Sequence, residues 1–111
     1  MYDRTLRESE IDGGPLDLPG VFIKKLRRDG GGGIIGLTKI RPGVEFPAQL
    51  HAEVDESVYV LDGDFVEDGV SHPTGTVFFA FARTPHGPQT TVGGCTVMTY
   101  FSAILNSELT P

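Results

Sequence analysis

The chain predicts an all-β barrel folded as a single domain, and three observations lead there. Short runs rich in β-branched and aromatic residues recur along it. Gly, Pro and Asp punctuate those runs, and no segment repeats apolar residues at helical spacing over three turns. Short strands separated by regular turn signals must hide their edges, which favours a closed sandwich or barrel. A length of 111 residues suits one hydrophobic core and leaves little for a second.

The elements follow in order. Residues 1–20 carry Gly13, Gly14, Pro15, Pro19 and Gly20 without a sustained period, and read as an arm leading into the domain. The barrel is expected over residues 21–104, with 105–111 as a C-terminal tail. VFIKKLRRD begins at Val21 as a strand, the glycines from Gly30 to Gly33 turn the chain, and IIGLTKI resumes it, a hairpin pattern. The glycine run lacks the Lys-Ser/Thr ending and the following helix of a phosphate-binding loop, so it reads as a turn. Arg41-Pro42-Gly43 marks the next turn, followed by the strand-like runs FPAQLHAEV, ESVYVLDG, GTVFFAFA and CTVMTYFSA.

Composition narrows the function. Hydrophobic residues at 39% and charged residues at 22% are ordinary for a globular domain. A net charge of −6 argues against nucleic acid, whose binders neutralise phosphates with a basic footprint. Eight of the nine Lys and Arg precede residue 42, several of them in KKLRR, and Arg83 is the ninth. That distribution implies a solvated basic strand face opposite an acidic rim. No stretch approaches the roughly 18 apolar residues that cross a bilayer, and MYDRTLRESE lacks the apolar core of a secretory signal, so a cytoplasmic protein without membrane contact is expected. The single cysteine, Cys95, lies in CTVMTYF and reads as a buried structural thiol.

Metal sites form where side chains converge, and in a barrel every second strand residue points inward. Gln49, His51 and Glu53 share one parity after Pro47. Glu56 follows a bend expected at Val54-Asp55, where SVYVL begins, and His86 stands in TPHGP after a later strand.

Here a resemblance enters. Gly43, five residues, Gln49, one residue, His51, four residues, Glu56, six residues and Gly63 resemble the first cupin motif, with Gln49 in place of its first histidine. Gly75, five residues, Phe81, one residue, Arg83, two residues, His86 and three more to Thr90 match the spacing of the second motif, where only the glycine and the histidine agree in type. PGVFIKKLRRD, PGVEFPAQLH, ESVYVLDGDFVEDGVSHPTGT and PHGP before GGCTV are similar to the small cupins grouped with the ChrR anti-sigma cupin domain and with acetylacetone-cleaving and dihydroxyacetophenone dioxygenases. The likeness runs from about Pro19 to Phe101. It implies a single-domain RmlC-like jelly-roll barrel, the double-stranded β-helix, holding one divalent metal through His51, Glu56 and His86. It also implies a homodimer.

Two imidazoles and one carboxylate form the set that binds non-haem Fe(II) with open positions, and the same three with a water suit Zn(II). Fe(II) is the favoured ion, with Zn(II), Mn(II) and Ni(II) as alternatives. Gln49 either binds weakly as a fourth ligand, holds a water or faces substrate, and Glu53 replaces Glu56 if the bend falls elsewhere. Arg83, three residues before His86, either reaches the barrel mouth to hold an anionic substrate group or lies on the surface. His72 reads as a surface turn residue. Tyr59, Phe79, Phe81, Met98, Tyr100 and Phe101 read as core or pocket wall, with Phe79 and Phe81 sharing parity. The acidic cluster Asp62, Asp64, Glu67 and Asp68 reads as solubilising surface.

The leading expectation is a metal-dependent dioxygenase acting on a small diketone-like or aromatic ketone. The alternatives are a non-catalytic zinc-binding sensor or binding module of the ChrR type, and a non-redox cyclase, isomerase or lyase.

Overall fold

The computed structural model describes residues 2, 4–16, 18–28, 33–48 and 54–102. Ten strands follow one short 3-10 turn at Glu8–Glu10: β1 (Gly13–Pro15), β2 (Val21–Arg28), β3 (Ile34–Ile40), β4 (Glu45–Phe46), β5 (Glu56–Gly63), β6 (Phe65–Glu67), β7 (Val70–His72), β8 (Val77–Ala80), β9 (Gln89–Thr90) and β10 (Cys95–Phe101). They form a six-stranded sheet in the order β1-β2-β3-β10-β5-β8 and a four-stranded sheet in the order β4-β9-β6-β7, and every pairing is antiparallel. The expected β2–β3 hairpin is present, with Val21 opposite Ile40. Part of the expected arm instead adds a strand: Gly14 of β1 pairs with Ile23, and a Lys24–Glu8 ion pair ties the preceding turn to β2.

Alternation sorts the side chains. In β5, Val58 and Val60 are buried while Tyr59 and Leu61 face out; in β10, Cys95, Val97 and Thr99 are buried while Met98 and Tyr100 face out. The core gathers Val21, Ile40, Val58, Val60, Cys95 and Val97 from the larger sheet and Phe46 and Phe65 from the smaller, with Leu16 and Leu18 from the chain between β1 and β2 packed against them. Val60 is fully buried, and such a side chain contributes about 1.5–3 kcal/mol. The burial expected for Cys95 is present.

Three expectations need correction. Tyr59, Met98 and Tyr100 are exposed, because the pleat gives the interior to the residues between them, and Phe81 is exposed beyond the end of β8; Phe79 and Phe101 are pocket wall as expected, each lining a cavity beside Glu56. His72 ends β7, where its ring meets Phe78 edge-on at 4.7 Å between centroids. The acidic cluster does more than solubilise: Asp64 accepts hydrogen bonds from Thr91 Oγ1 (3.2 Å), Val92 N (2.8 Å) and Gly93 N (2.9 Å). Those backbone donors, Val92 first, lower the Asp64 pKa and staple the β9–β10 turn to the start of β6.

Gly63 shows why a glycine must stand at that point of the first motif. Its φ is +85°, and a Cβ added there would lie 2.1 Å from the Gly94 carbonyl oxygen. Among the described residues no helix is long and apolar enough to cross a membrane.

Candidate functional site

Glu56 opens β5, directly after the expected bend, and shares inward parity with Val58 and Val60. Its neighbours in register are Ala80 on β8 and Phe101 on β10, so the carboxylate stands in largely apolar surroundings. Asp55 fixes the approach. Its backbone N–H donates to Ser102 Oγ (3.0 Å), and its Oδ1 accepts from Ala82 N (2.8 Å), which draws the loop after β8 toward the start of β5.

His86 lies in that loop, between β8 and β9. Its Nε2 is 3.0 Å from Glu56 Oε1, and the two side chains are only 13% and 14% exposed. Nδ1 lies 3.3 Å from the Thr84 carbonyl oxygen. A carbonyl can only accept, so this contact places a proton on Nδ1 and turns Nε2 toward the cavity. The Glu56 hydrogen bond is the largest influence on the ring and raises its pKa; burial opposes this, and the charge of Glu56, the Thr84 carbonyl and Glu67 add to the rise.

The backbone beside His86 is held from the smaller sheet. Gly87 N donates to both carboxylate oxygens of Glu67, at 2.7 and 3.0 Å, and Asp68 N donates to the Pro88 carbonyl at 2.9 Å. The Gly87–Pro88 bond is cis. Gln89 follows and pairs in register with both Phe46 and Glu67, which sets the three side chains on one face.

A cavity of about 200 Å³ opens here, lined among others by Glu56, Glu67, Phe79, Thr84, His86 and Gln89. Behind Glu56 lies a second of about 70 Å³, lined by Ile23, Thr38, Val97, Thr99 and Phe101 among others. Of the expected site residues, the structure brings Glu56 and His86 together. Gln49, His51 and Glu53 lie outside the described residues, and among the described residues no three His, Cys, Asp or Glu side chains stand close enough together to hold one metal ion.

Arg83 is exposed in the turn closed by Thr84 N to Phe81 O (3.0 Å) and is not among the residues lining either cavity. Its φ of +70° explains why the second motif carries glycine at that place. Glu67 and Gln89 are site residues that sequence reasoning did not pick out. A signal for Glu67 existed, since in Phe65-Val66-Glu67 an inward Phe65 carries Glu67 to the same face.

The donor pair can be tested against a metal. Two donors each about 2.1 Å from one ion, at right angles, stand about 3 Å apart. Glu56 Oε1 and His86 Nε2 meet that spacing with both side chains largely buried, so they fit a divalent ion.

No family description and no curated protein matches this sequence. Solved structures do. KdgF from Halomonas sp. superposes with a TM-score of 0.82 at 21% identity, over 95% of this chain and 97% of its own. An RmlC-like cupin from Ralstonia eutropha JMP134 gives 0.77 at 20% identity, covering 93% of this chain and 70% of its own. An acetylacetone dioxygenase from Acinetobacter johnsonii gives 0.70 at 13%, covering 91% of this chain and 73% of its own. At such identities the likeness is one of fold, and it spans both sheets: the chain folds as an RmlC-like cupin.

Proposed function

We propose that the cavity beside β5 is a metal centre in which Glu56 Oε1 and His86 Nε2 are two of the ligands and His51 is the third. The observation that carries this reading is the 3.0 Å approach of the two largely buried donors. His51 stands five positions before Glu56, in the chain that enters β5.

The favoured chemistry is oxygen-dependent cleavage of a small diketone-like or aromatic ketone. An ion bound there would supply Lewis-acid polarisation of substrate oxygens and, as Fe(II), activation of dioxygen. The chain's own residues do the rest. Thr84 fixes the tautomer of His86, Glu67 holds the loop that carries it, and Val58, Phe65 and Phe101 exclude water around Glu56. Gln49 is assigned to positioning a water or the substrate. Likeness in fold to an acetylacetone dioxygenase supports the choice of substrate class.

Elemental analysis of protein purified without chelators, with dioxygen uptake by Fe(II)-loaded protein over a panel of β-diketones and hydroxyketones, tests the reading. Bound metal with turnover is the expected result. Metal without uptake across the panel removes the dioxygenase and leaves a binding module or non-redox chemistry.

The same proposal includes a homodimer. Met98, Tyr59 and Val77 lie side by side in register on the outer face of the six-stranded sheet, with Tyr100 and Phe79 in the adjacent row. This exposed apolar band is the surface such pairing would cover. Light scattering on the purified chain and on Tyr100→Glu tests it, with a dimer expected for the first and a monomer for the second.

A further inference from the structure

The two cavities meet along one wall, since Glu56, Val58, Phe65 and Gln89 line both. On the outer side stand His86 and Glu67. On the inner side the polar groups besides Glu56 and Gln89 are the side chains of Thr38 and Thr99, and everything else is apolar. A molecule whose polar atoms sit beside His86 and Glu56 therefore has an apolar chamber directly behind it. That chamber is small, about 70 Å³ against about 200 Å³ for the outer cavity. A single water needs roughly 10–15 Å³ on this scale, so the chamber accepts an arm of a few non-hydrogen atoms.

Charge supplies the second constraint. All nine Lys and Arg of the chain fall among the described residues, and none of them lines either cavity. Glu56 and Glu67 both line the outer one. A divalent ion at His86 and Glu56 would bring two positive charges, which those two carboxylates already balance. Without an ion, the two carboxylates face His86 and, on the reading proposed above, His51, at most two positive charges. In either state an anion entering the cavity meets no surplus of positive charge and loses its hydration.

We infer that the ligand of this site is a neutral small molecule with a short apolar arm, that the arm lies behind Glu56 against Val97 and Thr99, and that the site discriminates against carboxylates and phosphates. The inference rests on the cavity's being the functional site, as proposed above, but not on which metal it holds. It also assigns Arg83 no part in holding an anion.

Pentane-2,4-dione and acetoacetate are close in shape and differ in charge, which makes them the probes. Each is titrated into methyl-labelled protein, metal-free and loaded with Zn(II), and the Val58, Val97 and Thr99 methyl resonances are followed. The dione is expected to shift all three and to bind on the order of tenfold more tightly than acetoacetate in both forms. Gln89→Lys, which places a cation on the shared wall, is expected to narrow that ratio or reverse it.

Equal or tighter binding of acetoacetate by the unaltered protein overturns the charge selection. Shifts confined to the outer cavity, or no binding of either probe at millimolar concentration, overturn the placement of the arm. The comparison on unaltered protein decides the matter even if Gln89→Lys fails to fold. Failure of the metal reading shows separately, as absence of metal on elemental analysis, because the probes are also read on metal-free protein.

Discussion

Replacing Glu67 tests whether the smaller sheet holds the histidine loop. In Glu67→Ala, Gly87 N loses an acceptor that it reaches at 2.7 and 3.0 Å, beside the largely buried ring of His86. The two distances belong to one donor, so a single charge-assisted hydrogen bond is lost, about 1.5–3 kcal/mol. For a domain of 111 residues this lowers Tm by about 6–13 °C. The Asp68 N to Pro88 O bond remains, so the loop loosens without detaching. Residues that orient a metal ligand typically change affinity by about 10–100-fold, and Zn(II) binding should weaken within that range. Glu67→Gln keeps an amide oxygen for Gly87 and should recover more than half of the lost stability. Thermal denaturation of the metal-free proteins and competition with a chromophoric chelator are the assays. A Glu67→Ala protein with unchanged Tm and unchanged Zn(II) affinity refutes the argument.

Three further outcomes are expected. Gly63→Ala should cost about 3 kcal/mol or more in urea unfolding, because its Cβ would meet the Gly94 carbonyl at 2.1 Å on a backbone of φ +85°; a cost below 1 kcal/mol would contradict the packing there. Val60→Ala should cost about 2 kcal/mol in the same assay, since Val60 is fully buried between the sheets. The third concerns pH. Glu56 raises the His86 pKa, so in metal-free protein the stabilisation from this pair is complete below the ordinary histidine value and fades as pH rises through the raised one. Metal binding requires the neutral ring, so its affinity should fall as pH drops below that raised pKa, with a proton released on binding. Zn(II) calorimetry in buffers of differing ionisation enthalpy reads that proton, and a weaker pH dependence of affinity from pH 5 to 8 in His86→Gln than in the unaltered protein would assign it.

The all-β class, the β2–β3 hairpin and the start of β5 at Glu56 were legible because each is written in local order: alternation along a strand, punctuation by glycine and proline, and motif spacing. In ESVYVLDG the period sets Glu56 on one face with Val58 and Val60, and the structure makes that face the interior. The convergence of Glu56 and His86 could be anticipated only through that spacing, since they stand thirty positions apart in the chain.

Period does not say which of two faces becomes the interior of a closed barrel, nor which loop lies over it. Large apolar side chains invited the interior reading for Tyr59, Met98 and Tyr100, yet the strand pairings turn them outward and leave the inner volume to valine and threonine. Glu67 looked like one more surface acid, until the pairing of β6 with β9 set it beneath Gly87. Arg83 stood near His86 in the chain, but a left-handed turn directs it away from the cavities. Local residue order governs which segments become strands, since backbone sterics and side-chain period act over a few residues. Which side chains share a cavity follows from register between strands remote in the chain, a property of hydrogen-bonded pairs that no single strand carries.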